Sequence, residues 1–196
     1  MLFQHKLSSS GGHTGLVGEE APNGLVLEPE LIDEAEERRL LASFAELDFR
    51  PVVIRGRTSL RTAAHFGLRY GYETRRLTPG DPMPPLLLPL RERAAELAAV
   101  EPDGLVQALV QRYPEGATIG WHRDSPPFDR IVGISLLGTA RLRFRRGRVR
   151  DWETWSIEAA PRSAYVLAGE ARIDWQHSIP AAKELRYSVT FRNLVA

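Results

Sequence analysis

The chain of 196 residues contains no cysteine, which excludes disulfides, thiolate metal sites and cysteine nucleophiles together. Any metal it holds must be hard or borderline and bound through nitrogen and oxygen. No apolar run approaches the roughly 20 residues of a membrane-spanning helix. The N-terminus lacks the hydrophobic stretch of a secretory signal, so a cytoplasmic protein without a membrane partner is expected. Neither sign of charge is in excess: 26 Lys and Arg stand against 25 Asp and Glu, giving a net charge of +1. Composition therefore points neither to disorder nor to a strongly basic nucleic-acid protein. Histidine is scarce, with five in the chain, so the position of each one carries information.

The 43% hydrophobic fraction is enough for a sizeable core, and the length fits one domain. Residues 1–21 contain Ser8-Ser9-Ser10-Gly11-Gly12 without apolar periodicity and read as a disordered tail. Residues 22–196 are expected to form a single domain, with 22–104 as helical support and substrate lid and 105–196 as the core. Order should begin with a short strand at Gly24 to Leu27. A helix should follow, because Asp33 and Glu36 have capping-box spacing ahead of Leu40, Leu41, Phe44 and Leu47. Leu86, Leu87, Leu90, Ala94 and Leu97 predict a second helix over 85–100. From Leu105 onward, short alternating segments separated by Gly and Pro predict strands at 105–113, 131–137, 140–145, 155–159, 163–167 and 185–191. That spacing suggests a sandwich or barrel, with the helices bracing one sheet from outside.

His122 and Asp124 lie two residues apart, so on an extended backbone both side chains project to one side and can grip one ion. His177, beside Trp175 and Ile179, offers a third ligand. Two imidazoles and one carboxylate on one face of an octahedron leave three positions open, the arrangement suited to Fe(II) oxygenases. The plain alternatives are a hydrogen-bonded histidine at a strand end for His122 and a core histidine for His177. His5 and His13 fall in the expected tail and His65 in a polar loop.

Near the C-terminus, Arg186, Ser188, Thr190 and Arg192 alternate with Tyr187, Val189 and Phe191. Two arginines facing a barrel interior need anions, because an unpaired buried guanidinium costs several kcal/mol. Their forked geometry suits a carboxylate, so a dicarboxylic co-substrate would satisfy both. An exposed edge strand is the alternative.

Tyr113-Pro114-Glu115-Gly116, His122-Arg123-Asp124, His177 and Arg186 through Arg192 together resemble the AlkB-like family of Fe(II)/2-oxoglutarate dioxygenases over roughly residues 24–194. The resemblance implies an α+β, mainly β fold, a double-stranded β-helix or jelly roll with N-terminal helices packed on its outer sheet. It implies His122, Asp124 and His177 as iron ligands, with Fe(II), 2-oxoglutarate and O2 as cofactor and co-substrates. Arg186, helped by Tyr113, would bind the distal carboxylate of 2-oxoglutarate, and Arg192 would lie near the carboxylate that chelates iron. Gln111 and Ser188 stand where the family often has Asn, yet both fall among the expected oxo-acid contacts. Pro126 stands where some members place an acid against the damaged base, so base recognition must differ.

The resemblance further implies oxidative demethylation of alkylated bases in DNA or RNA by a monomer. In residues 66–72, Tyr70 or Tyr72 could stack on a base, with Arg69 beside them; the alternative is a strand packed on the core. Six arginines lie between residues 141 and 150, and Arg143 and Arg145 could follow a phosphate backbone. Alternatively they form a solvated strand partly neutralised by Asp151, Glu153 and Glu158. Residues 104–196 carry 14 Lys and Arg against 9 Asp and Glu, which agrees with the phosphate reading. The same scaffold could instead hydroxylate or demethylate a protein or small molecule, or be a jelly-roll binding module without turnover.

Overall fold

A computed structural model describes residues 20–195 apart from residues 55 and 72; most of the expected tail lies outside them. The chain runs β1 (Leu25–Glu28), α1 (Glu34–Ser43), β2 (Arg50–Ile54), β3 (Arg57–Gly71), β4 (Arg76–Pro79) and α2 (Leu88–Ala98). It continues through β5 (Leu105–Tyr113), β6 (Ile119–His122), β7 (Phe128–Leu136), β8 (Ala140–Arg148) and β9 (Asp151–Ala159). The last elements are β10 (Ala164–Leu167), α3 (Gly169–Ile173), β11 (Gln176–Ile179) and β12 (Arg186–Leu194). The major sheet has the order β1-β10-β7-β12-β5-β3-β2, with β4 added to β3, and the minor sheet has the order β6-β11-β8-β9. This is the jelly roll with helices that the family resemblance implied.

The two periodicities of the sequence explain the layers. Asp33 accepts a 2.7 Å hydrogen bond from the Glu36 N–H and starts α1. Leu40 of α1 and Leu90, Ala94, Ala95 and Ala98 of α2 share a buried cluster with Ala108, Val110, Val132, Ile134, Val189 and Phe191. Those sheet residues occupy one face of β5, β7 and β12. Because side chains alternate across a strand, the opposite face of the same strands carries Gln107, Gln111, Tyr113, Ser135, Arg186, Ser188, Thr190 and Arg192, which point between the sheets. The interior is therefore polar on the major-sheet side. The minor sheet closes part of it with Leu142 and Phe144, which cluster with Phe128, Ile131 and Trp175, the residue just before β11.

His65, expected in a loop, lies within β3 opposite Leu109. The Pro/Gly/Arg-rich stretch between the two helices, whose composition reads as strands and loops, holds a strand of 15 residues that includes His65. Gly67 turns that strand over: its φ is +75°, and a Cβ there would lie 2.0 Å from the Val106 carbonyl oxygen. Phe66 packs on the helix side, whereas Tyr70 packs on the interior cluster. No described helix is long and apolar enough to cross a membrane.

Candidate active site

The two four-residue strands β6 and β11 bring the histidines together. His177 pairs directly with His122 across them, and the two ring centroids are 4.3 Å apart. Asp124 follows β6 by two residues, and its Oδ2 lies 3.5 Å from His177 Nε2. One ligand atom from each of His122, Asp124 and His177 falls within 4.8 Å of the others. Among the described residues this is the cluster able to hold a metal ion.

Each ligand is oriented by a second contact. His122 Nδ1 lies 2.9 Å from the Gly120 carbonyl oxygen. A carbonyl only accepts, so Nδ1 carries the proton and Nε2 keeps its lone pair. Arg192 donates through Nε (3.0 Å) and Nη2 (2.5 Å) to Asp124 Oδ1, which leaves Oδ2 toward His177. A third Arg192 bond, 2.6 Å from Nη1 to Gln107 Oε1, fixes the guanidinium. From α3, Arg172 donates to the carbonyls of Asp124, Ser125 and Phe128 and so clamps the backbone behind the carboxylate.

Burial works against ionisation of Asp124, but Arg192 beside it, then His177, hold the carboxyl well below its usual range. Burial pushes the His177 imidazole down to about 3, outweighing the pull of Asp124. At neutral pH the cluster is one carboxylate and a neutral His177, the forms in which these side chains bind metal.

The other end of the interior is built for an anion. Arg186 is 2% exposed, its Cζ lies 4.5 Å from the centre of the Tyr113 ring, and its Nη2 donates to Ser135 Oγ at 3.1 Å. Its Nε and Nη1 are buried without a partner. Between Arg186 and Arg192 runs a loose polar chain: Tyr113 Oη to Gln111 Oε1 at 3.4 Å, and Gln111 Nε2 to Ser188 and Thr190 at 3.4 and 3.3 Å. Buried donors left unmet cost about 1–3 kcal/mol each and more when charged. An ionised carboxylate only accepts, so the interior fits a dicarboxylate oxo-acid at Arg186 and a metal at the histidines.

Sequence reasoning did not pick out Arg61, Gln107, Ser135, Tyr165 or Arg172. Gln107 was within reach, since it stands four residues before Gln111 on the same strand face. Arg61 and Ser135 could be found only with β3 and the pairing of β7 to β12 in hand.

The expected substrate residues do not gather at one place. Arg69 is exposed and paired with Asp81 at 3.1 Å. Tyr70 is half-buried against the interior cluster, and Tyr72 lies outside the described residues. On the outer face of the minor sheet, Arg145 is flanked by Trp121 and Trp152, its Cζ 4.5 and 4.3 Å from their rings. Arg143 lies 5.1 Å from Trp121. Glu153 neutralises Arg146, at 2.5 Å. Arg141, Arg143 and Arg145 bond instead to Ser156, Ser178 and Gln176, and form no ion pair among the described residues.

Comparison with known proteins agrees with this geometry. The family model described as the 2OG-Fe(II) oxygenase superfamily matches residues 28–192. A relative from Arabidopsis thaliana, "Alkylated DNA repair protein ALKBH8 homolog", is 30% identical over 185 residues, covering 82% of this chain and 51% of its own length. "Uncharacterized protein L905" of Acanthamoeba polyphaga mimivirus is 30% identical over 102 residues, 45% of this chain and 48% of that protein. The chain thus spans about half the length of the curated relatives it matches. The solved structure of OsALKBH1 superimposes with a TM-score of 0.69 at 15% identity, covering 90% of this chain and 99% of the other. An oxidoreductase of the 2OG-Fe(II) oxygenase family from Burkholderia pseudomallei gives 0.60 at 16%, covering 87% and 85%. At such identities the two structures support the fold alone.

Proposed function

The chain belongs to the 2OG-Fe(II) oxygenase superfamily, and from that membership we infer that it removes alkyl groups oxidatively from nucleic-acid bases. In this reading His122, Asp124 and His177 hold iron(II). Arg186 and Tyr113 hold the distal carboxylate of 2-oxoglutarate, while Gln111 and Ser188 line its path. The observation that carries the assignment is the buried Arg186 guanidinium, two of whose nitrogens have no partner, in the same interior as the His-Asp-His cluster. A bare metal site would not need it.

Iron(II) with 2-oxoglutarate and O2 supplies an oxidation in which an N-methyl group, the oxo-acid and O2 become formaldehyde, the free N–H, succinate and CO2. The residues of the chain orient and exclude. The Gly120 carbonyl holds the His122 proton on Nδ1, and Arg192 occupies Asp124 Oδ1 so that Oδ2 faces the histidines. Phe144, buried beside the His177 ring and backed by the buried Trp175, keeps water from that side of His177.

Two features favour a nucleic-acid substrate: the alkylated-DNA repair name of the Arabidopsis relative and the uncompensated arginines on the minor sheet. Arg143 and Arg145, stacked on tryptophans, present guanidinium edges suited to phosphates. Pro126 favours the second reading, a protein or small-molecule substrate, because it offers no side-chain hydrogen bond beyond the metal cluster. The test is anaerobic loading with Fe(II), then measurement of succinate and formaldehyde with methylated oligonucleotides and methylated peptides in parallel. Formaldehyde in step with succinate on the oligonucleotides, abolished by His122→Ala, is expected. Turnover on peptides alone overturns the substrate, and absence of succinate under every condition overturns the oxygenase.

A further inference from the structure

Resting on the reading of the interior as an oxo-acid site, we propose that Arg61 is a second cation for the distal carboxylate of 2-oxoglutarate and selects co-substrates for that charge. Arg61 lies on β3, where Thr62 pairs with Arg112, which sets Arg61 beside Tyr113. Tyr113 in turn pairs with Arg186 on β12. Three neighbouring strands thus carry Arg61, Tyr113 and Arg186 in one row. Both guanidinium groups attend the same phenol ring, Arg61 Cζ at 5.9 Å from its centre and Arg186 Cζ at 4.5 Å.

Arg61 is 9% exposed. Its Nε is buried without a partner, as are Nε and Nη1 of Arg186, and neither arginine joins an ion pair among the described residues. The other guanidinium groups of the interior are anchored by acceptors: Arg172, whose Nε is likewise without a partner, donates through Nη2 to three carbonyls, and Arg192 donates to Asp124. A buried guanidinium N–H with no acceptor is unfavourable until an anion supplies one. Two such cations around one ring call for an acceptor-only group of full negative charge. The phenol ring accounts for part of the attraction but accepts no in-plane N–H hydrogen bond. Arg61 lies at the Arg186 end of the interior, six residues along β12 from Arg192 and the metal cluster, so the far carboxylate of the oxo-acid is the anion within its reach.

The experiment uses the full chain loaded anaerobically with Fe(II) and titrated calorimetrically with 2-oxoglutarate and with 2-oxopentanoate, the same oxo-acid with a methyl in place of the distal carboxylate. Arg61→Met should weaken 2-oxoglutarate binding by about 10- to 100-fold, the loss of one charge-assisted hydrogen bond. Binding of 2-oxopentanoate should stay within about twofold. Arg61→Lys, which keeps the charge, should recover discrimination between the two acids; a Lys variant discriminating no better than Met overturns the charge argument. Equal loss for both acids, or unchanged 2-oxoglutarate affinity, likewise overturns the role of Arg61. If Arg61→Met does not fold, Arg61→Gln carries the same comparison. A loss in Arg186→Met but not in Arg61→Met sinks only this proposal, whereas a wild-type protein that binds no 2-oxoglutarate sinks the oxo-acid reading with it.

Discussion

Gly133→Ala tests whether the interior is as tightly built as its contacts imply. Gly133 of β7 lies opposite Tyr165 of β10, and a Cβ added there would stand 2.2 Å from Tyr165 Cζ, 2.4 Å from its Oη and 2.6 Å from Cε1. Ordinary contact begins near 3.4 Å, so the ring must retreat by about 1 Å, against a paired strand that cannot follow. Overpacking of this kind costs about 1–3 kcal/mol. The reduced freedom of the unfolded chain offsets roughly 0.4–1 kcal/mol of it, leaving about 1.3 kcal/mol of net loss at the middle of these ranges. For a chain of this length about 1 kcal/mol moves Tm by roughly 2–4 °C, so a fall of about 3–5 °C is expected in a thermal melt followed by circular dichroism. The displaced phenol, which senses the charges of Arg186 and Asp124, should also weaken 2-oxoglutarate binding. Repeating the substitution in a Tyr165→Ala background isolates the clash, because the ring is then absent. A Tm within 1 °C of wild type, or the same fall with Tyr165 removed, would refute the reasoning.

Arg192→Ala should weaken Fe(II) binding by about 10- to 100-fold, because a ligating carboxylate loses the partner that orients it. Competition against a chelator measures this, and an unchanged affinity would mean that Asp124 needs no orientation. Arg145→Ala should lower the slope of log affinity against log salt for an oligonucleotide by about 0.7–0.9, one phosphate contact, and leave iron binding intact. A slope equal to wild type would remove the outer sheet from the interface.

Elements whose periodicity was long and regular could be read from the sequence. The α1 cap at Asp33, the apolar faces of both helices and the alternation of β12 all follow from spacing, and the last of these places Arg186 and Arg192 on one face. β6 and β11 are four residues each, too short for a periodic signal, and their partner strands lie far away in sequence. His122 and His177 could therefore be suspected but not paired. The length and bounds of β3 escaped for another reason: Gly67 reverses its side-chain alternation half-way, so neither face of residues 57–71 keeps a period of two. Without the bounds of β3, Arg61 is one arginine among many in a stretch that reads as strands and loops, and His65 looks like a loop residue.

The two sheets divide the chemistry. The minor sheet supplies His122 and His177 on short strands pinned by Phe144 and Trp175, while the major sheet supplies Arg61, Arg186 and Arg192, with Asp124 as the carboxylate among them. With Arg172 of α3 behind Asp124, four guanidinium groups against one carboxylate leave the interior positive, and a divalent ion bound at the histidines adds to that excess. In a space where water is scarce, such repulsion is poorly screened. A dianion entering beside the metal removes it, so each ligand improves the site for the other by the same factor. Binding energy drawn from Arg61 and Arg186 at one end is thereby felt at the metal cluster at the other, which is why residues that touch no metal atom belong to its affinity.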